Sequence, residues 1–411
     1  MRWEMDVKLV ALKRAGLNLI PLLLFTLGAG ICVGQAAATM DPQRQRAFAL
    51  EQQGKSAEAE AAWRGIVKTH PSDAEGYAHL GFLEAKQERY KEAVPLYRKA
   101  LELDAAMPGL KMNLGLAQFK SGALKEAIET FNGLLEHEPA SSSEAQRLTA
   151  LIGIAHFGLG EYAAAVPDLK QAAAADKQNL PFRMMLAQSC LASKQYSCVM
   201  DVYHEILMLN AESAEADMLA GEALDETRDH DGAIAQFRAA VKADPKVPNV
   251  HFGLGYLLWS QSKYEEAEPQ FRAELANVPE SAQAMAYLAD SEMQLNRPEA
   301  AGPLIEHAIR IDPGLALPHL DLGILDADAG RREDALRQFK EAVRLNPSDV
   351  NAHYRLARLY QAMGRKDEAK VEFDKTSGLH KAENATVFEQ LDRARAKGKP
   401  AEASDAAPAN Q

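Results

Sequence analysis

Cys190 and Cys198 are the only cysteines beyond the first 38 residues, and they are the one pair in that stretch whose side chains could join covalently. Eleven histidines and 58 acidic residues supply further raw material for a metal or acid–base site. They fall into no catalytic spacing. H-E-x-x-H, G-x-S-x-G, a Walker loop and C-x-x-C are all missing, and with them the helix-borne zinc pair, the nucleophile elbow, the phosphate cradle and the redox dithiol. Asp225, Glu226, Asp229 and Asp231 ahead of Gly232 come nearest to a calcium loop. There Thr227 stands where the first ligand belongs and Arg238 where the bidentate Glu belongs, so the match fails and a solvated turn is expected. The sequence therefore predicts no catalytic residue, no cofactor and no metal, and the chain reads as a protein that is not an enzyme.

Charge argues against nucleic acid. Lys and Arg total 46 against 58 Asp and Glu, a net charge of -12, and no four consecutive residues are all basic. A phosphate backbone would be repelled by that field. The only segment suited to a membrane is the largely apolar run of residues 15–33, weakened as a span by Asn18 and Pro21 and preceded by Lys8, Lys13 and Arg14, with Gly34, Ala36, Ala37 and Ala38 following. That layout predicts an export signal over residues 1–38 with cleavage after Ala36 or Ala38. The alternatives are an uncleaved anchor and lipid attachment at Cys32, where Ile31 is poorly suited to a lipobox. All three place the rest of the chain outside the cytoplasm, periplasmic or associated with the envelope. Loss of residues 1–38 would remove four basic and two acidic side chains and move the net charge to -14.

Some of the histidines do show a spacing, but of another kind. His251, His319 and His353 are separated by multiples of 34, and the whole middle of the chain obeys that interval. Rows of 34 start at Met40 and run 40–73, 74–107, 108–141, 146–179, 180–213, 214–247, 248–281, 282–315, 316–349 and 350–383, with Ser142–Ala145 inserted. The eighth column is Gly or Ala in every row, and the twentieth is Ala in every row except for Val199. Column 24 is large: Trp63, Tyr97, Phe131, Leu169, Tyr203, Phe237, Phe271, Ile305, Phe339 and Phe373. Two helices cross closely only where neither is bulky, so the small columns mark where a first helix meets a second, and the large one fills the space between pairs. Pro71, Pro139, Pro245, Pro279, Pro313 and Pro347 share column 32 and end the second helices of their six rows; Gly54, Gly122, Gly160, Gly330 and Gly364 share column 15, the turn inside each pair. Pro95, Pro167, Pro269 and Pro303 share column 22, which predicts that the second helix begins near column 18 or 19.

These columns resemble the tetratricopeptide repeat family, most clearly through Tyr77, Leu80, Gly81, Tyr90, Ala93, Tyr97 and Ala100, and again through Leu322, Gly323, Ala335, Phe339, Ala342 and Pro347. The resemblance implies an all-α fold, a right-handed α-solenoid of about ten helix-turn-helix repeats, whose first helices line a concave groove that takes a protein or peptide. Column 4, which holds the three histidines, takes a large packing residue in that family. In the implied groove, columns 5, 9 and 12 carry Met112, Leu116 and Phe119; Ile154 and Phe157; Met184 and Leu191; and Phe252, Tyr256 and Trp259. Glu222, Asp225 and Asp290 interrupt this apolar stripe, so the expected ligand is apolar with one or two basic residues. The alternative assigns the stripe to the core. The Lys and Asn clamp of some cytosolic relatives is absent, since its columns hold Arg44 and Phe48, Ala78 and Phe82, then Met112 and Leu116.

Remaining expectations concern irregularities. Cys190 and Cys198 lie on opposite arms of the fifth pair, so a bridge fits an oxidising compartment, with two buried free thiols as the alternative. Ser141, Ser142 and Ser143 before Gln146 suggest a lengthened loop ending in a capping box, or else a hinge between three and seven repeats. Arg46 makes the first helix a solvated cap, and Glu274 departs from the pattern at column 27. Val387, Phe388 and Leu391 predict a capping helix over residues 384–397, followed by a disordered tail over 398–411. The function these readings support is an exported scaffold for protein–protein contacts in a cell-envelope assembly, secretion or surface-polymer system, or alternatively a periplasmic chaperone-like binder of unfolded chains.

Overall fold

The computed structural model describes residues 41–210 and 212–397; the expected export signal and the tail from residue 398 lie outside the described residues. Among those described there is no strand, and twenty α-helices follow in pairs. The chain divides into two compact units, Met1–Gly232 and Ala233–Gln411. The first holds α1 (Pro42–Gln52), α2 (Ser56–Thr69), α3 (Ala74–Lys86), α4 (Tyr90–Leu103), α5 (Leu110–Ser121), α6 (Leu124–Leu135), α7 (Ser143–Leu159), α8 (Tyr162–Ala175), α9 (Leu180–Ala192), α10 (Tyr196–Leu209) and α11 (Ala214–Glu226). The second holds nearly all of α12 (His230–Ala243), then α13 (Val250–Ser260), α14 (Tyr264–Asn277), α15 (Ala282–Gln294), α16 (Pro298–Ile311), α17 (Ala316–Asp328), α18 (Arg332–Leu345), α19 (Val350–Ala362) and α20 (Lys366–Lys397). From α1 to α11, and again from α13 to α20, each helix packs on the next, so each unit is a stack of helical hairpins of the α-solenoid kind.

The small columns are explained by aromatic rings. A Cβ on Gly115 would stand 2.5 Å from the ring of Phe131, and one on Gly323 equally close to Phe339. Each ring thus lies flat against the first helix of its own hairpin, where only a very small residue leaves room. Its other face meets column 6 of the following hairpin: Trp63 stacks on His79 at 4.5 Å, and Phe271 on Tyr287 at 5.9 Å. At Phe271, which also abuts Gly255, one ring therefore seals two seams, while Leu169 and Ile305 take the place of a ring in their rows.

All ten column-15 residues adopt a positive φ, five of them glycines and the other five Glu88, Lys194, Arg228, Ser262 and Asn296. The hairpin turn demands the left-handed region whatever the residue. The second helices begin at column 17, earlier than expected from the column-22 prolines. Pro95, Pro167, Pro269 and Pro303 consequently sit inside their helices rather than in the first turn. Each lies on an exposed face, as do Lys91, Ala163, Glu265 and Glu299 four residues before, so water can take up the freed carbonyl.

Irregular positions turn out to be structural devices. The Ser142–Ala145 insertion lengthens a helix rather than a loop: Ser142 caps α7 by accepting from the Ala145 N–H at 2.9 Å, and α7 is one turn longer than the other first helices, at 17 residues. Asn249 takes a positive φ just before α13 and provides no side-chain cap. Buried Glu274 does so instead, accepting from the backbone N–H of Asn249 at 2.9 Å and of Phe252 at 3.1 Å. Two of the column-4 histidines tie their hairpins to the preceding turn: the ring of His319 hydrogen-bonds with Gln338 at 2.8 Å and with the Pro313 carbonyl at 3.2 Å, and His353 bonds likewise with Glu372 and the Pro347 carbonyl. Residues 384–397 are not a separate helix. They continue α20, because column 32 of the last row is Lys381, with no proline to end the helix.

A four-charge clamp appears twice at the same columns. Glu60 and Arg64 of α2 meet Glu84 and Arg89 at the end of the next first helix, and Glu268 and Arg272 of α14 meet Glu292 and Arg297 in the same way. Glu84 and Glu292 are buried, and each is flanked by two guanidinium groups.

Candidate partner-binding face

Phe252, Tyr256 and Trp259 lie at spacings of four and three on α13, hence on one side of it. Tyr287 and Asp290 of α15 come up beside them. The Tyr256 and Trp259 rings are near-parallel, 6.0 Å apart at 25°, and Tyr287 stands almost perpendicular to both, at 5.4 and 4.8 Å. Phe252 is buried behind them against Phe271 and Tyr287, while Tyr256 and Trp259 remain half-buried. Asp290 Oδ2 accepts the Trp259 indole N–H at 2.5 Å, and Oδ1 accepts from the Gln294 amide at 3.2 Å. Burial pushes the Asp290 carboxyl above the usual range, although both hydrogen bonds oppose it. Asp321 of α17 is raised further, by burial first and then by the charges of Asp290 and Asp349.

In the first unit the predicted stripe lies elsewhere. Met112, Phe119, Ile154 and Phe157 are buried in the hydrophobic core, and Leu116, Met184 and Leu191 are partly buried against the same core. Glu222 and Asp225 are half-buried on α11. Glu222 Oε1 has no hydrogen-bond partner, and burial, with Glu226 and Asp225 adding, pushes its carboxyl up to about 7. Asp225 bonds with the His230 ring at 2.8 Å. Cys190 and Cys198 are joined in a disulfide with Cα atoms 5.9 Å apart, tying α9 to α10 across their turn. Of the thirteen predicted groove positions, the structure gathers Phe252, Tyr256, Trp259 and Asp290.

Tyr287 and Asp321 were missed because both stand in column 6, which packs against the ring of the preceding hairpin rather than belonging to the groove columns. Their signal was residue type: one Tyr and one Asp in a column that elsewhere holds Gln, His, Asn, Leu, Met, Gly and Arg. Among the described residues no three His, Cys, Asp or Glu side chains are grouped so as to hold a metal ion, and no helix is long and apolar enough to cross a membrane.

Two family models, each described as tetratricopeptide repeat, match residues 45–108, 151–197, 201–248 and 252–316, and residues 84–152 and 326–382. A curated relative, BBSome complex member BBS4 of Bos taurus, is 23% identical over 226 residues, covering 48% of this chain and 44% of that protein. The chain thus matches less than half the length of this relative. Among solved structures, YrrB, described as a TPR protein with an unusual peptide-binding site, is 19% identical, covering 46% of this chain and 97% of that one with a TM-score of 0.35. The C-terminal part of a TPR repeat-containing protein from Cytophaga hutchinsonii is 18% identical, covering 59% and 98% with a TM-score of 0.46.

Proposed function

The chain belongs to the tetratricopeptide repeat family, whose members bind protein or peptide partners, and from that premise we propose that it is an exported, non-catalytic adaptor holding partner proteins of a cell-envelope assembly, secretion or surface-polymer system. The observation that carries the adaptor reading is the pair Tyr256 and Trp259 on one first helix, backed by Asp290 on the next, two aromatic rings that hairpin packing leaves partly exposed. The address rests on the basic residues, apolar run and small residues of positions 1–38. The net charge of -12 supports a protein rather than a nucleic acid as partner. A chaperone-like role drew its motive from a broad apolar groove, and with Met112, Phe119, Ile154 and Phe157 buried that motive is weaker.

Affinity capture from detergent-solubilised envelope with the full-length chain tests the adaptor reading. A stoichiometric partner retained by the wild type and lost with Tyr256→Ala/Trp259→Ala, in a variant that still folds, is the expected result. Equal capture by both would remove this face from consideration. The address is tested separately: N-terminal sequencing of the secreted or envelope-bound protein should begin just after Ala36 or Ala38.

A further inference from the structure

Among the described residues of the second unit, six carboxylates are buried: Glu274, Asp290, Glu292, Asp321, Asp326 and Glu372. Four are compensated. Glu274 accepts two backbone N–H groups, Glu292 lies between Arg272 and Arg297, Asp326 pairs with Arg331, and Glu372 pairs with Lys375 and His353. Asp290 and Asp321 differ. Asp290 is 6% exposed and receives only the neutral donors of Trp259 and Gln294. Asp321 is 1% exposed, and its Oδ2 has no hydrogen-bond partner. Among the described residues, no Lys or Arg forms an ion pair with either; exposed Arg355 acts on Asp321 only through its field. A buried carboxylate without a counter-charge is costly, and the fold supplies arginines freely where it wants one.

Beside Asp290 stand the Tyr256 and Trp259 rings, near-parallel and partly open to solvent, and Asp321 lies close enough to Asp290 for their charges to repel. A planar guanidinium stacks well on such faces and is more weakly hydrated than an ammonium group. We propose that Tyr256, Trp259 and Asp290 form a receptor for a single arginine side chain of the protein partner, with the guanidinium laid on the rings, its N–H groups directed at Asp290, and the unpaired Asp321 behind adding to the negative field. This rests on the reading of the same face as partner-binding, and it names the chemistry the partner must bring.

The test selects dodecapeptides from a random display library with the full-length chain in detergent, then measures the selected peptides by fluorescence anisotropy. Peptides carrying arginine at one shared position are expected. Replacing that arginine with citrulline, which is neutral and nearly isosteric, should weaken binding at least tenfold, and Asp290→Asn should do the same to the original peptide. Asn can still accept the Trp259 N–H, so the variant should fold; if it does not, the citrulline comparison on the wild type decides. Selected peptides without a basic residue, binding indifferent to citrulline, or a library that yields nothing would each overturn the arginine receptor. Arginine-free peptides that bind the wild type but not Trp259→Ala would leave the adaptor reading standing while this inference fell.

Discussion

Glu222 shows how much a single side chain can bias this fold. Its carboxyl is pushed up to about 7, well above the ordinary glutamate value, because burial and the neighbouring acids favour the neutral form. A raised folded-state value means that the contribution to stability is intact below roughly pH 4, the unfolded value, and is lost as pH rises through about 7. Thermal melts of the wild type should therefore weaken from pH 5 to pH 7.5, and Glu222→Gln should flatten that slope, by at most about 3 kcal/mol. An unchanged slope in the variant would remove Glu222 as its source. Backbone strain offers a second residue-scale test. Glu88 and Lys194 occupy the left-handed region that glycine fills in other rows, so Glu88→Gly and Lys194→Gly should each stabilise by about 1 kcal/mol, read as a raised chemical-denaturation midpoint.

At the scale of the element, α13 depends on an atom outside its own turn. Glu274→Ala should leave the N–H groups of Asn249 and Phe252 without their acceptor and cost about 1–2 kcal/mol, with hydrogen exchange rising first at the start of α13. The Cys190–Cys198 bond closes a short loop between α9 and α10, and Cys198→Ser should lower stability by about 2 kcal/mol in chemical denaturation under oxidising conditions. The hairpins themselves were legible because Gly115 and Phe131, or Gly323 and Phe339, are paired by size alone, and size is written in the residue names. The start of the second helices was not, since a proline on an exposed helix face looks the same as one in a first turn. Glu274 read as a blemish because its acceptor role depends on Asn249 taking a positive φ, which no column announces. The stripe in the first unit misled for a related reason: an apolar residue on the groove side of a first helix, such as Phe119, can turn toward the core.

For the molecule as a whole, stability accumulates through neighbouring hairpins. A lesion should stay local: Phe131→Ala should raise hydrogen exchange in α5, α6 and α7 while leaving α1 and α2 protected, and uniform loss across Met1–Gly232 would show a more cooperative unit. The same row logic governs which changes in length the chain can absorb. The extra turn at Ser142–Ala145 entered at the front of α7, where four residues add close to one full revolution and the downstream contacts keep their partners. A single added residue in the middle of that helix would instead swing everything ahead of it by about 100° and pull Leu148 off its neighbours. Natural or engineered variants of this chain should therefore differ by whole rows, or by whole turns at helix starts, and the lengths between should be missing from the viable set.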